Sequence, residues 1–237
     1  MANGTTKGAP GPAGGTDRPV PAWRRATEGE HRWTAGLAVV AMIALQSRVP
    51  EDLVLVSWWL LPALEAILLV ALIAANPGRL GASSQALHRL SLALIAIASL
   101  ATGWAAVSLV AGLVRGSVGQ DATSLLFTGG NIWVTNIVVF ALWYWDLDRG
   151  GPGARARNEH DEPDFIFPQM TSPELAPRDW EPRFHDYLYL AYTNATAFSP
   201  TDTMPFSRWS KMTMMLQSTI SLVTGALIVA RAVNILR

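Results

Sequence analysis

Five apolar stretches between Trp33 and Ile235 constrain this chain more than anything else in its sequence. Hydrocarbon offers no partner to a free N–H or C=O, so a single segment crosses it only as a helix that satisfies its own backbone. Runs of about 20 apolar residues have the length for that. Leu53 to Ala75 is such a run, closed by the helix-stopping Asn76-Pro77-Gly78. A third runs from about Leu90 to Val114, and a fourth from about Ser124 to Trp145. The fourth ends in Trp143-Tyr144-Trp145, an interfacial aromatic belt. The last covers about Trp209 to Ile235, while Trp33 to Gln46 is short and marginal for crossing. The fold expected is an all-α integral membrane protein of about five transmembrane helices.

Composition narrows the function classes. Half of the 237 residues are apolar, 15% are charged, and the formal net charge is zero, so no bulk charge points to nucleic acid. The absence of cysteine removes disulfides, thiolate metal sites and Cys nucleophiles. No Gly-rich phosphate loop follows a strand and no Ser/His/Asp arrangement stands out, so no enzyme and no cofactor is expected. His160 and His185 lie among acids at a spacing that matches no metal-ligand pattern, so no metal is expected either. No internal repeat is evident.

Four regions follow. Residues 1–30, rich in Gly, Pro, Ala and Thr, read as a disordered tail. Residues 33–145 hold the first four helices. Residues 146–183 form a polar connection, within which Asp161 to Met170 reads as a surface strap with two Phe anchors. Residues 184–237 close the chain. Lys and Arg near the spans set orientation. Lys7, Arg18, Arg24, Arg25 and Arg32, then Arg79 and Arg89, Arg149, Arg155 and Arg157, and finally Arg208 and Lys211 all fall on one side if five spans cross. Arg48 and Arg115 fall on the other. This predicts a multi-pass protein of the cell membrane with a cytoplasmic N-terminus.

The segment from Tyr187 to Pro205 interrupts the pattern: an aromatic helix runs into Phe198-Ser-Pro-Thr-Asp-Thr-Met-Pro205, and a long apolar helix follows at once. Ala195-Thr-Ala-Phe-Ser-Pro-Thr-Asp202-Thr-Met-Pro205 resembles the pore signature of potassium channels, A-T-T-V-G-Y-G-D-x-x-P. The same block looks like uncharacterised bacterial membrane proteins that share the AFSPTDTMP segment. The channel resemblance implies a pore helix from Phe184 to Ala195, an inner helix after it and a homotetramer around a pore for a monovalent cation. It departs where the filter would be. Ser199 and Thr201 replace the two glycines and Pro200 stands between them. Side-chain-bearing residues resist the backbone angles that glycine permits, and Pro fixes its own φ. A potassium-type filter is therefore not expected; a ring of carbonyls and hydroxyls from Thr196, Ser199, Pro200, Thr201 and Asp202 is the pathway that the segment suggests.

Two further features carry candidates. Gln217, Ser218, Ser221 and Thr224 recur at helical spacing on the last span. Such a stripe either faces a wet pore or makes a close helix contact. Glu65 lies midway along the second span, with Asn131 and Asn136 as possible partners. An acid at that depth either serves function or fixes packing. The function expected is a channel-like membrane protein, possible as a cation pore in an oligomer. The alternative is a non-conducting membrane scaffold or regulator that keeps a channel-like architecture, and a membrane enzyme or transporter built on Glu65 is a third class.

Overall fold

The apolar runs become helices whose ends follow local chemistry. The computed structural model describes residues 20–75, 85–118, 121–196 and 202–235. In order they form α1 (Trp33–Gln46), α2 (Leu60–Ala75), α3 (Gln85–Arg115), α4 (Ala122–Leu147), the short α5 (Pro152–Arg157) and α6 (Pro168–Thr171), α7 (Phe184–Thr196) and α8 (Arg208–Ile235). Two-residue strands β1 (Phe165–Ile166) and β2 (Met204–Pro205) pair antiparallel. Helices α3, α4 (with its continuation to Arg157) and α8 are long and apolar enough to cross a membrane. The chain is accordingly an all-helical membrane protein. Helices α1 and α2 are apolar but shorter; at about 1.5 Å per residue their 14 and 16 residues reach roughly 21 and 24 Å.

The start of α2 differs from the sequence expectation. Residues 51–53 form a single 3₁₀ turn, and the α-helix begins at Leu60 rather than near Leu53. Pro62 supplies the reason. Proline cannot donate the hydrogen bond that a helix interior requires, and it is tolerated in the first turn, where the donor is unused. Other ends are capped by side chains. Asp121 accepts from Ser124 N at 2.6 Å at the start of α4. Asp186 reaches back to Arg183 N at 2.8 Å at the start of α7, and Ser207 Oγ accepts from Ser210 N at 3.3 Å at the start of α8.

Helix α4 is central and packs on α1, α3, α7 and α8. It runs antiparallel to α8: Tyr144 meets Gln217, Asn136 meets Ser221, and Gly129 lies against Ile228. It also runs antiparallel to α1, with Trp145 beside Glu30 and Asn131 beside Leu45. Helix α7 runs the same way as α8. The ring of Phe165 touches both Tyr187 and Trp209 near the two helix starts, while Ala191 and Asn194 meet Gln217 and Ser218 further along. By Met204 the chain is back at the level of the first turns of α7, because β2 pairs with the strand that carries Phe165. Residues 197–201 lie outside the described residues, and so do Ser199, Pro200 and Thr201 of the proposed pathway.

A polar cap sits where α4 ends and α1, α7 and α8 begin. Parts of the stretch 20–30, read from the sequence as the end of a disordered tail, dock on it: Trp23 is buried in a 3₁₀ turn (Ala22–Arg24), Thr27 N donates to Ala156 O at 2.8 Å, and Glu30 is buried. The polar connection is folded as well. Phe165 and Phe167 both lie in the core, and α5 is almost wholly buried. Aromatic side chains bury large apolar area, which lets a Pro- and Gly-rich strap hold a fixed course.

Candidate functional site

The interface of α4, α7 and α8 gathers polar side chains that the sequence scattered. Gln217 is fully buried. Its Oε1 accepts from Tyr144 Oη at 2.6 Å and from Asn194 Nδ2 at 2.7 Å, while its Nε2 donates to Ala191 O at 2.8 Å. Asn194 Nδ2 also donates to Met214 O at 3.0 Å, and Ser218 Oγ donates to Asn194 Oδ1 at 2.9 Å. One turn further, Asn136 Nδ2 donates to Ser221 Oγ at 3.0 Å. Thr224 is buried on the same face. The stripe Gln217, Ser221, Thr224 therefore faces α4 and α7 of its own chain. A buried amide left without partners is costly, and here both polar ends of Gln217 and of Asn194 are matched.

Thr196 ends α7 with its hydroxyl donating to Thr193 O at 3.0 Å, and Asp202 is exposed. These two residues bracket the part of the pore-like segment that lies outside the described residues.

Glu65 is completely buried between α1, α2 and α3. With the Gln46 amide turned so that its nitrogen faces the acid, Nε2 donates to both carboxyl oxygens at 2.9 and 2.7 Å, and Gln46 Oε1 accepts from Thr102 Oγ1 at 3.2 Å. That orientation follows from matching donors to acceptors. Neither Asn131 nor Asn136 reaches Glu65, contrary to the sequence reading. Asn131 Nδ2 donates to Leu45 O at 2.7 Å, and Asn136 is spent on Ser221. Helical phase explains this: both asparagines sit on α4, whereas Glu65 points toward α1 and α3.

Sequence reasoning missed the ionic core of the cap. Asp148, fully buried, accepts from Tyr187 Oη at 2.5 Å and from Asp164 N at 2.9 Å. Arg155 Nη1 donates to Trp145 O at 2.5 Å and Asp148 O at 2.9 Å, its Nη2 lies 4.0 Å from Glu30, and its guanidinium stacks on Tyr187 at 5.1 Å. Arg149 Nη1 donates to Trp23 O at 2.7 Å. Asp164 takes Trp209 Nε1 at 2.7 Å and Arg149 N at 3.0 Å. Glu30 accepts from Phe184 N at 2.9 Å and from Trp145 Nε1. Burial raises the Glu30 carboxyl above its ordinary range, against the pull of Arg155. The signal was present in the sequence: two arginines and two aspartates within ten residues after an aromatic belt, among glycines too small to shield them.

Each polar cluster thus holds helices to one another or to the cap. His160 lies against Gly150, and His185 sits 3.6 Å from Asp186. Comparison with protein families, curated proteins and solved structures found no match for this chain.

Proposed function

We propose that the protein is a channel-like membrane protein in which α7 is a re-entrant helix. In this reading α1, α2, α3, α4 and α8 cross the membrane in alternating directions. The cap faces the cytoplasm, on the side richer in Lys and Arg. Helix α7 enters the bilayer from the cap side and the chain returns to that side before α8 crosses. Several copies around an axis, a homotetramer by analogy with cation channels, would bring Thr196, Asp202 and the segment between them to a shared pathway for a monovalent cation. A ring of acids there would favour cations.

One observation carries the reading. Helices α7 and α8 start at the same end and point the same way, with Tyr187 and Trp209 against one ring and Asn194 against Ser218. The chain must turn back between them. Irregular backbone at membrane depth is tolerated only within protein or around a water-filled cavity. The test is purified protein in liposomes, with flux of potassium or sodium read by a dye. Cation flux that Asp202→Asn reduces would support the pore. Absence of flux, together with a monomer in mild detergent, would remove it.

A second reading, a non-conducting scaffold or regulator, is favoured by the pairing of Gln217, Asn194, Tyr144 and Ser221 inside one chain. No neighbouring copy is needed to satisfy them. Under it, Asp202→Asn changes no flux, and the protein acts through bound partners.

A further inference from the structure

We infer that the cap-side cleft between α1, α2, α3 and α4 binds the head group of an aminophospholipid, a primary ammonium joined to a phosphate. The inference is independent of the pore reading. The cleft encloses about 60 Å³; a water needs only about 10–15 Å³, so a small polar group fits. Asp146 lies on its floor, its side chain 2% exposed, with His88 Nδ1 3.6 Å from Oδ2 and His88 itself 30% exposed at the rim. Ser91 Oγ donates to Asp146 Oδ1 at 3.2 Å, but Oδ2 accepts no hydrogen bond. Arg32, also in the lining and near enough to Asp146 for their charges to interact, donates through Nη1 to Leu72 O at 2.5 Å, while its buried Nε makes no hydrogen bond.

The cleft therefore offers one buried carboxylate oxygen and one buried guanidinium N–H that make no hydrogen bond, although the charges of Asp146, His88 and Arg32 already interact. Buried groups of this kind are costly unless paired. A single ion of either sign would satisfy one and oppose the other. A zwitterion satisfies both: an ammonium N–H on Asp146 Oδ2 and a phosphate oxygen on Arg32 Nε, with His88 at the rim beside the phosphate. Charged groups facing Asp146 are Arg32 from before α1, His88 from α3 and Arg155 from α5, the last already held by backbone carbonyls. The remaining lining is apolar, with Val39, Leu69, Leu72, Leu94, Ile95 and Leu142 continuing along the helices from the polar end. That is the order in which a lipid presents head group and chain at a membrane edge. The chemistry excludes two common lipids: a choline head group has no N–H for Asp146, and a glycerol head group has no cation.

The test uses the full chain in mild detergent, with phosphatidylethanolamine, phosphatidylcholine and phosphatidylglycerol of identical acyl chains, and counts retained lipid by native mass spectrometry. Retention of the ethanolamine lipid about tenfold above the other two is expected. Asp146→Asn should abolish the preference. Should that variant not fold, Gly36→Leu decides, because an added Cβ at Gly36 meets nothing within 4 Å while the residue lines the cleft. This substitution should fold and fill the cleft, and retention should fall by a similar factor. Equal retention of the three lipids, or a preference unchanged in Gly36→Leu, overturns the inference. Displacement of the lipid by an equal concentration of free phosphoethanolamine also overturns it, since the apolar lining would then contribute nothing.

Discussion

The Tyr144 hydroxyl donates to Gln217 Oε1 at 2.6 Å, joining the last turns of α4 to the early turns of α8 at the point where α7 wedges between them. Asn194 Nδ2 reaches the same oxygen at 2.7 Å. Gln217→Leu strips both donors of their acceptor and removes the additional bond to Ala191 O, so it should cost about 2–3 kcal/mol, against about 1 kcal/mol for Tyr144→Phe. The two changes should be non-additive, since one deletes the partner of the other. Thermal unfolding in detergent, followed by Trp fluorescence, reads both.

Asp148 is the acid on which the cap converges. Asp148→Ala would take a negative charge from beside buried Arg155 and free Tyr187 Oη and Asp164 N. Removing one partner of a buried ionic cluster costs about 3–5 kcal/mol. The expected outcome is loss of folded protein at a temperature where Glu159→Ala, on an exposed Arg157 pair, behaves as wild type.

Gly151 takes φ +95°, and a Cβ there would fall 2.8 Å from the Asp146 carbonyl oxygen. Gly151→Ala should therefore destabilise by about 1–3 kcal/mol. Gly130→Ala, on open helix surface, should be neutral or slightly stabilising. A Tm comparison of the two substitutions separates backbone strain from the loss of a glycine as such.

Glu30 gives the cap a pH dependence of known sign. Its folded carboxyl is raised above the ordinary value of 4.5 because burial disfavours the charged form. The folded state holds that proton more tightly than the unfolded chain. The stability it contributes is full below pH 4.5 and is lost as pH rises through the folded value. Glu30→Gln removes this titration, so the stability of wild type relative to the variant should fall as pH increases from 4.5. Wild-type stability that rises relative to the variant over that range would refute the assignment.

Gln46 and Glu65 form a pair in an otherwise apolar place. Gln46→Leu leaves the acid without its donor and should cost about 1–3 kcal/mol. Gln46→Leu with Glu65→Leu removes both partners and should recover much of that loss, because apolar groups of similar size are near-neutral replacements. Failure of the double variant to recover would assign Glu65 partners beyond Gln46.

The long helices were legible because a membrane imposes length and hydropathy on each segment alone. Helix α8 starts one residue before the expected Trp209, and α3 and α4 extend the expected runs by a few residues at their ends. A helix from Phe184 is expected only as what the channel resemblance implies for an aromatic-rich segment, and α7 starts there. What each polar residue touches was not. A hydroxyl and amide stripe has the same spacing whether it meets water or another helix, so the sequence leaves Gln217 and Ser221 open between pore and packing, with packing the commoner case for such a stripe. Their partners, Tyr144, Asn194 and Asn136, lie 73, 23 and 85 residues away. The cap was hidden for a related reason. Arg149, Arg155 and Asp148 read only as members of a polar connection, and the contacts of Trp23, Glu30 and Tyr187 with them come from distant segments.

Phe165 is fully enclosed, and its ring meets Tyr144, Tyr187 and Trp209, one aromatic residue from each of three helices. Those helices leave the ribosome at different times, α4 first and α8 last. The strap residue emerges between them, so the first contact can form early and the others must wait for later segments. A nascent chain stopped short of Trp209 would carry this hydrophobic hub with one side bare, which makes the final helix the latch on assembly.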